Sequence, residues 1–385
     1  RPEMYYAQTR KYTGELGIIK RVESEPAKYT HEDEQFYKVH FETTATYETT
    51  VAKEHRLSAL LYYYMSSEQR MNKDIDAKAE TLRSMYAIPI RYQGLSGRIT
   101  YGFRDTYFMD VNFGYTGSEN FQSGHRFGFF PSVAVGWIPT QYEFMQRGLP
   151  WLNFLKIRAS YGTVGNDRLT DERFPYLTLM VDGDGGGWGS SSGYITEERV
   201  GANNLRWEKA KKADLGIEGR LFNEKLQFVV DFFQDKRDGI YQRRSQIPSY
   251  VGLTQMPFGN VGKMKSYGSD GNISFTQDFG KDMTLTLRGN FTYSANKVEN
   301  WEQAFQPYDY QNYTGYVNNA FRGYIALGLF RDEQDVAQSP KQTFGEYMAG
   351  DIKYKDVNGD GVIDEDDKVP LSYPNYPRLM YVFGF

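Results

Sequence analysis

Along this chain apolar and polar side chains repeatedly change places with a period of two. Across 283–294, Met283, Leu285, Leu287, Phe291 and Tyr293 share one parity, and Thr284, Thr286, Arg288, Asn290, Thr292 and Ser294 the other. Successive side chains of a strand point to opposite faces, so such a segment carries one apolar face and one polar face. Leu95, Ile99, Tyr101 and Phe103 alternate in the same way with Ser96, Arg98, Thr100 and Arg104, and the pattern recurs over 107–116, 155–161 and 225–232. It predicts thirteen strands, at 3–12, 15–23, 36–47, 55–65, 95–104, 107–116, 127–137, 154–163, 205–222, 225–236, 261–279, 283–295 and 378–385.

The links between these strands are of two kinds. Tight ones fall at 12–15, 104–106, 222–224 and 280–282, and long ones at 66–94, 164–204, 237–260 and 296–377. Walked up and down in order, the tight links collect at one end and nearly all the long ones at the other, as the short periplasmic turns and long extracellular loops of outer-membrane barrels do. Segment 138–153, of intermediate length and on the short side, is the exception, with a short helix predicted around 141–147. The fold class expected is all-β, a transmembrane antiparallel up-and-down barrel, with 1–385 as one partial barrel domain. Thirteen is odd whereas single-chain bacterial barrels have even strand numbers, and both ends fall inside or beside alternating segments; the chain reads as part of a larger barrel.

Composition points the same way. The 385 residues include 32 Tyr and 26 Phe, while mean hydropathy is negative. Aromatic girdles with a polar lumen explain both facts better than a Leu- and Val-rich soluble core does. No run approaches the roughly 18 apolar residues of a membrane-crossing helix. Cysteine is absent, which removes disulfides and thiolate metal sites. A net charge of −4 without a basic stripe gives no reason to expect a nucleic-acid partner.

Seven ordered blocks carry a family likeness. They are Ser96-Gly-Arg-Ile-Thr-Tyr with Asp105-Thr-Tyr-Phe-Met-Asp, Gly117-Ser-Glu-Asn-Phe, Arg126-Phe-Gly-Phe-Phe-Pro-Ser-Val-Ala-Val-Gly-Trp, Leu155-Lys-Ile-Arg-Ala-Ser-Tyr-Gly-Thr-Val-Gly-Asn, Asn204-Leu-Arg-Trp-Glu leading into Asp214-Leu-Gly-Ile, Asn260-Val-Gly-Lys-Met, and Asp356-Val-Asn-Gly-Asp-Gly-Val-Ile-Asp. Together they resemble the barrel of SusC/RagA-type TonB-dependent outer-membrane transporters. The resemblance implies a barrel of about 22 strands in the cell outer membrane, importing an oligosaccharide or peptide under a SusD-like surface lipoprotein. It also implies coupling to the TonB complex through an N-terminal region, and a plug and further barrel segments, that these blocks do not include.

Two groups of residues invite a chemical reading. Asp356, Asn358, Asp360, Gly361, Asp364 and Asp367 follow the D-x-[DN]-x-[DN]-G calcium-loop pattern, with oxygens at positions 1, 3, 5, 9 and 12 and the Val362 carbonyl at position 7. Position 12 is Asp rather than Glu, so the calcium expected is a weakly held structural ion; a solvated acidic turn is the plainer alternative. Trp301, Tyr308, Tyr310, Tyr313 and Tyr316 form an aromatic cluster suited to sugar rings or peptide side chains, or to packing within a loop. Trp188, inside the Gly-rich segment 182–190, is a further candidate substrate contact. That segment lacks the lysine and the strand-to-helix setting of a phosphate loop.

The remaining features have structural readings. Trp137, Phe129 and Phe130 read as interface anchors. Arg98, Arg104, Lys156, Arg158, Lys212, Arg220 and Arg288 on the polar parity read as lumen residues paired with acids. The four His are scattered, and neither G-x-S-x-G nor Ser-x-x-Lys occurs, so no enzyme is expected. The competing reading is a secreted, calcium-stabilised β-sandwich adhesin whose apolar parity would lie buried against a second sheet.

Overall fold

The computed structural model describes residues 4–9, 16–22, 34–72, 88–168, 174–183, 194–253, 255–374 and 376–385. Strands β1 (Met4–Thr9) and β2 (Leu16–Val22) pair as a separate hairpin. Then come β3 (Glu34–Val51), β4 (His55–Asn72), β5 (Ile90–Phe103), β6 (Tyr107–Ser118), β7 (Phe127–Trp137) and β8 (Leu152–Asn166). A small hairpin of β9 (Leu179–Gly183) and β10 (Tyr194–Arg199) precedes β11 (Glu208–Leu221), β12 (Leu226–Arg243), β13 (Phe258–Phe279) and β14 (Met283–Asn300). Six short strands follow, β15 (Ala320–Gly323), β16 (Ala326–Leu329), β17 (Lys341–Gln342), β18 (Ile352–Tyr354), β19 (Val362–Ile363) and β20 (Val369–Pro374), before β21 (Leu379–Gly384).

β3 to β8, β11 to β14 and β21 form one eleven-stranded antiparallel sheet in sequence order. Its register carries the argument. A single row of cross-strand partners runs through Thr49, Leu57, Tyr101, Met109, Val135, Ala159, Leu215, Phe232, Ser269, Tyr293 and Leu379. The adjacent row runs through Thr50, Arg56, Gly102, Phe108, Gly136, Arg158, Gly216, Asp231, Asp270, Thr292 and Met380. One face is therefore predominantly apolar, interrupted in this row only by Thr49 and Ser269, and the other is mixed and charged. A slip of one residue in any strand would exchange its two faces, so the alternation itself fixes the register.

The apolar face is bare. Val135 is 51% exposed and Phe232 50%, and among the described residues no second sheet covers them. A sandwich would bury these side chains, so the adhesin reading fails on this point. Aromatic residues mark both margins of the face. Toward the tight turns, Phe103 stacks near Tyr107, Tyr142 near Phe144 and Trp151 near Phe222; toward the loops, Tyr115 stacks on Phe127 and Phe113 lies near Phe129. Eight residues separate Tyr107 from Tyr115, roughly 26 Å along a strand and about 20 Å once tilted, a height suited to a bilayer's hydrocarbon core. Trp137 and Phe129 sit in these belts as anchors. Phe130 does not: it has the opposite parity, pairs with Gly114, and packs its edge on Trp207.

The tight turns lie at Ala52–Glu54, 104–106, 222–225 and 280–282. At the second, Arg104 and Asp105 both have positive φ (51° and 50°) and the Thr106 N–H bonds the Phe103 carbonyl at 3.0 Å, the mirror-image turn that matches strand twist without the usual Asn-Gly. The neighbouring turn steadies it, because Arg104 Nε reaches Glu54 at 2.9 Å and Arg56 reaches Asp105 at 2.5 Å. The link 138–151 contains the expected short helix, α1 (Glu143–Gly148), after a 3-10 turn at Pro139–Gln141.

Several strands run past their expected ends. β12 reaches Arg243 rather than 236, β13 begins at Phe258 rather than 261, and β14 runs to Asn300 rather than 295. β11, in contrast, begins at Glu208 rather than 205, because Leu205 (1% exposed) and Trp207 turn into a cluster with Phe121, Ala202 and Tyr241. This cluster, at the loop end of the sheet, is the main buried core of the described residues.

Candidate functional site

The polar face is a ladder of ion pairs. Arg98 bonds Asp110 on the neighbouring strand, Lys156 approaches Glu218 at 3.9 Å, and Lys212 approaches Asp235 at 3.7 Å. Arg158 is the hub: it meets Glu218 at 3.2 Å, Asp214 at 3.7 Å and Asp231 at 2.7 Å. Its reach to Asp231 passes across Gly216, the residue between them in the row, where any Cβ would collide with both side chains. Arg104 and Arg220 also pair, with Glu54 and Glu224. These six cations pair with acids on their neighbours, as the sequence pattern predicts; for Arg288, the seventh, the described residues show no such pair.

The connection 301–378 holds both candidate groups, and the structure brings most of them together. It is not a slack loop. β15 pairs with β20, β16 with β18, and β17 lies parallel to β19. The helix α2 (Glu333–Gln338) is capped by Asp332 accepting the Asp335 N–H at 2.8 Å, and Asp335 ties to Lys353 of β18 at 2.8 Å.

The acidic turn sits between β18 and β19. Asp356 accepts the N–H groups of Gly359 (2.6 Å) and Gly361 (2.8 Å), Asn358 that of Asp360 (3.1 Å), and Asp360 that of Val362 (2.8 Å). Gly359 and Gly361 have φ of +78° and +86°, which side-chain-bearing residues adopt only with strain. Asp367 is fully buried, its two oxygens accepting from Val357 at 2.7 Å and Asp364 at 2.9 Å, while Asp364 accepts the Asp366 N–H at 2.9 Å. The oxygens of positions 1, 3, 5, 9 and 12 thus hold the loop's own amides. Among the described residues, no three or more His, Asp or Glu side chains group as metal ligands.

The tyrosines grip this turn from one side. Tyr308 and Tyr310 stack with centroids 5.4 Å apart; the Tyr308 hydroxyl accepts from Asn358 at 3.2 Å, and the Tyr310 hydroxyl donates to the Asp366 carbonyl at 2.7 Å. Burial, with the nearby charge of Asp367 and the Tyr308 hydroxyl, pushes Tyr310 up to about 12. Tyr313 and Tyr316 flank the Arg322 guanidinium at 4.9 and 5.9 Å, and Arg322 in turn donates to the carbonyls of Tyr310 (3.0 Å) and Asn312 (2.6 Å). These four rings pack the loop. Trp301 lies elsewhere, lining a cleft with Gln306 and Phe305; Phe305, 90% exposed, had no periodic signal to single it out. Trp188 lies outside the described residues.

Behind the cleft is a clamp. Glu302 accepts Arg244 Nε at 2.7 Å and the N–H groups of Ser245 (3.1 Å) and Gln246 (3.2 Å). Burial pushes the Glu302 carboxyl up, but these bonds outweigh it and hold it below its ordinary value of 4.5.

An open antiparallel sheet with one bare apolar face, aromatic margins and tight turns gathered at one end is the wall of a transmembrane β-barrel. Residues 5–376 match the family described as TonB dependent receptor-like, beta-barrel. The chain belongs to that family, whose members lie in the outer membrane. It is 25% identical over 296 residues to the TonB-dependent receptor SusC of Bacteroides thetaiotaomicron, covering 74% of this chain and 28% of SusC. It is 26% identical over 323 residues to the TonB-dependent receptor P39 of Formosa agariphila, covering 75% of this chain and 29% of P39. The RagAB peptide importer in its closed-closed state has the same fold, with a TM-score of 0.66 at 20% identity, over 90% of this chain and 39% of that one. The chain spans less than a third of the length of these two curated relatives, 28% of SusC and 29% of P39.

Proposed function

We propose that this chain forms half the barrel wall of a TonB-dependent active transporter that takes up large nutrients, oligosaccharide or peptide, under a SusD-like surface lipoprotein. The observation that carries the reading is the two-faced register across eleven strands, in a chain whose family and SusC likeness point to import. A barrel of this size has a lumen too wide to leave open, so a plug and an energy source are needed. The long connections form the substrate-facing rim, with the lid above them; the paired charges of the polar face line the passage without gripping solute. The test is uptake by cells carrying the full-length protein. Labelled oligosaccharides or peptides should enter, and entry should stop on deleting either this protein or TonB. Uptake that survives loss of TonB would contradict the proposal.

The pattern at 356–367 supports a second element, a calcium ion held by Asp356, Asn358, Asp360, Asp364 and the Val362 carbonyl, with Asp367 behind them. The donor chemistry is that of a hard cation, and a carboxylate that accepts one N–H keeps lone pairs to spare. Because the amides already shape the turn, the ion would act as a clasp on the connection rather than as the source of its fold. Calcium should protect 326–374 from protease and a chelator should reverse this; protection insensitive to both would remove calcium from the account.

A further inference from the structure

The cleft beside the Glu302 clamp has a volume of about 670 Å³ and is walled by 245–248 on one side and 301–314 on the other. We infer that it is a binding subsite for an uncharged, hydroxyl-rich ligand, a neutral oligosaccharide, with Trp301 and Phe305 as stacking platforms. The inference rests on the transporter reading and narrows its substrate to sugar rather than peptide.

Among the lining residues the only charge is Asp309, and no lysine or arginine is present. A peptide C-terminus or acidic side chain entering the cleft would meet no cation there. What the cleft offers instead is amides, from Gln246, Gln306 and Asn312, and each amide both donates and accepts, as a sugar hydroxyl does. Ser245 and Thr314 line the same cleft. Phe305 is 90% exposed beside these polar groups, and an aromatic face beside amides is what the C–H face of a pyranose ring needs.

The frame is held without the ligand. Gln303 donates to Asn312 at 3.1 Å and accepts the Tyr313 N–H at 2.6 Å, Thr314 Oγ1 accepts the Trp301 N–H at 3.2 Å, and Glu302 neutralises Arg244 behind the wall. The same short turn, Asp309–Gln311, presents Asp309 to the cleft and Tyr310 and Gln311 to the acidic turn. One backbone segment therefore joins the subsite to the 356–367 turn.

The test uses the purified full-length protein in detergent on an array of neutral oligosaccharides, uronate-containing oligosaccharides and short peptides, followed by calorimetry on whatever is retained. Neutral oligosaccharides should be retained, and Trp301→Ala and Phe305→Ala should each weaken binding at least tenfold. Phe305 is so exposed that its replacement leaves folding intact, which keeps the test decisive if Trp301→Ala misfolds. Unchanged affinity in Phe305→Ala, or retention of only acidic sugars or peptides, overturns the subsite. TonB-dependent uptake is read in parallel: uptake with unaltered variants sinks the subsite and spares the transporter, while sugar binding without TonB-dependent uptake does the reverse.

Discussion

Glu302 shows how one side chain can hold a wall of the rim. Its folded carboxyl titrates below the ordinary 4.5, so its stabilisation is complete above that value and drains away as pH falls through the lower, folded one. The protection factors of the Ser245 and Gln246 amides, taken relative to intrinsic exchange at each pH, should therefore fall below about pH 4.5. In Glu302→Gln their protection should be low at every pH, for a local loss of about 2 kcal/mol; protection factors that do not change with pH in the unmodified protein would refute the clamp. None of this was legible in the sequence, because Glu302 follows the end of a strand and its partners lie 56 to 58 residues away. The tyrosines were legible as a cluster but not by role. Their spacing is equally suited to stacking on a ligand and to packing on Arg322 and the acidic turn, and only the fold separates the two.

Strands were the most readable elements, since a period of two leaves a trace in the side chains and a slip is penalised on both faces. Boundaries were less so. β12 and β14 continue as paired backbone above the apolar belt, where neither face meets lipid and the alternation has nothing to enforce it. The short strands β15 to β20 carry two to six residues each, too few to show a period. At this scale Gly216 makes a sharp prediction. A Cβ there would meet Asp231 Oδ1 and Arg158, whereas one at Gly102 in the same row would find its nearest atom 3.6 Å away. Gly216→Ala should cost about 1–3 kcal/mol in urea unfolding from lipid vesicles, and Gly102→Ala little; equal effects would mean that the Arg158–Asp231 crossing is unimportant. On the other face, Leu215→Arg should cost about 2–4 kcal/mol near mid-membrane in the same assay, and a neutral result there would question which face meets lipid.

For the molecule as a whole, the sheet is an arc with two unsatisfied edges. β3 and β21 each offer one side with no partner among the described residues, a condition that closure into a full barrel relieves. The apolar belt, the ion-paired face and the folded 301–378 connection then become the outside, the passage and part of the rim. Everything proposed for the protein follows from that assignment of faces. It can be tested directly, with single cysteines placed in turn along 226–236 of β12, in a chain without native cysteine, within the full-length protein stripped of any cysteine outside 1–385. Each carries a nitroxide, and the protein is reconstituted in lipid vesicles. Collision with oxygen, which concentrates in lipid, should peak at 228, 230 and 232, and collision with a water-soluble nickel chelate at 227, 229 and 231. Accessibility without this two-residue alternation, or with the two sets exchanged, would contradict the account.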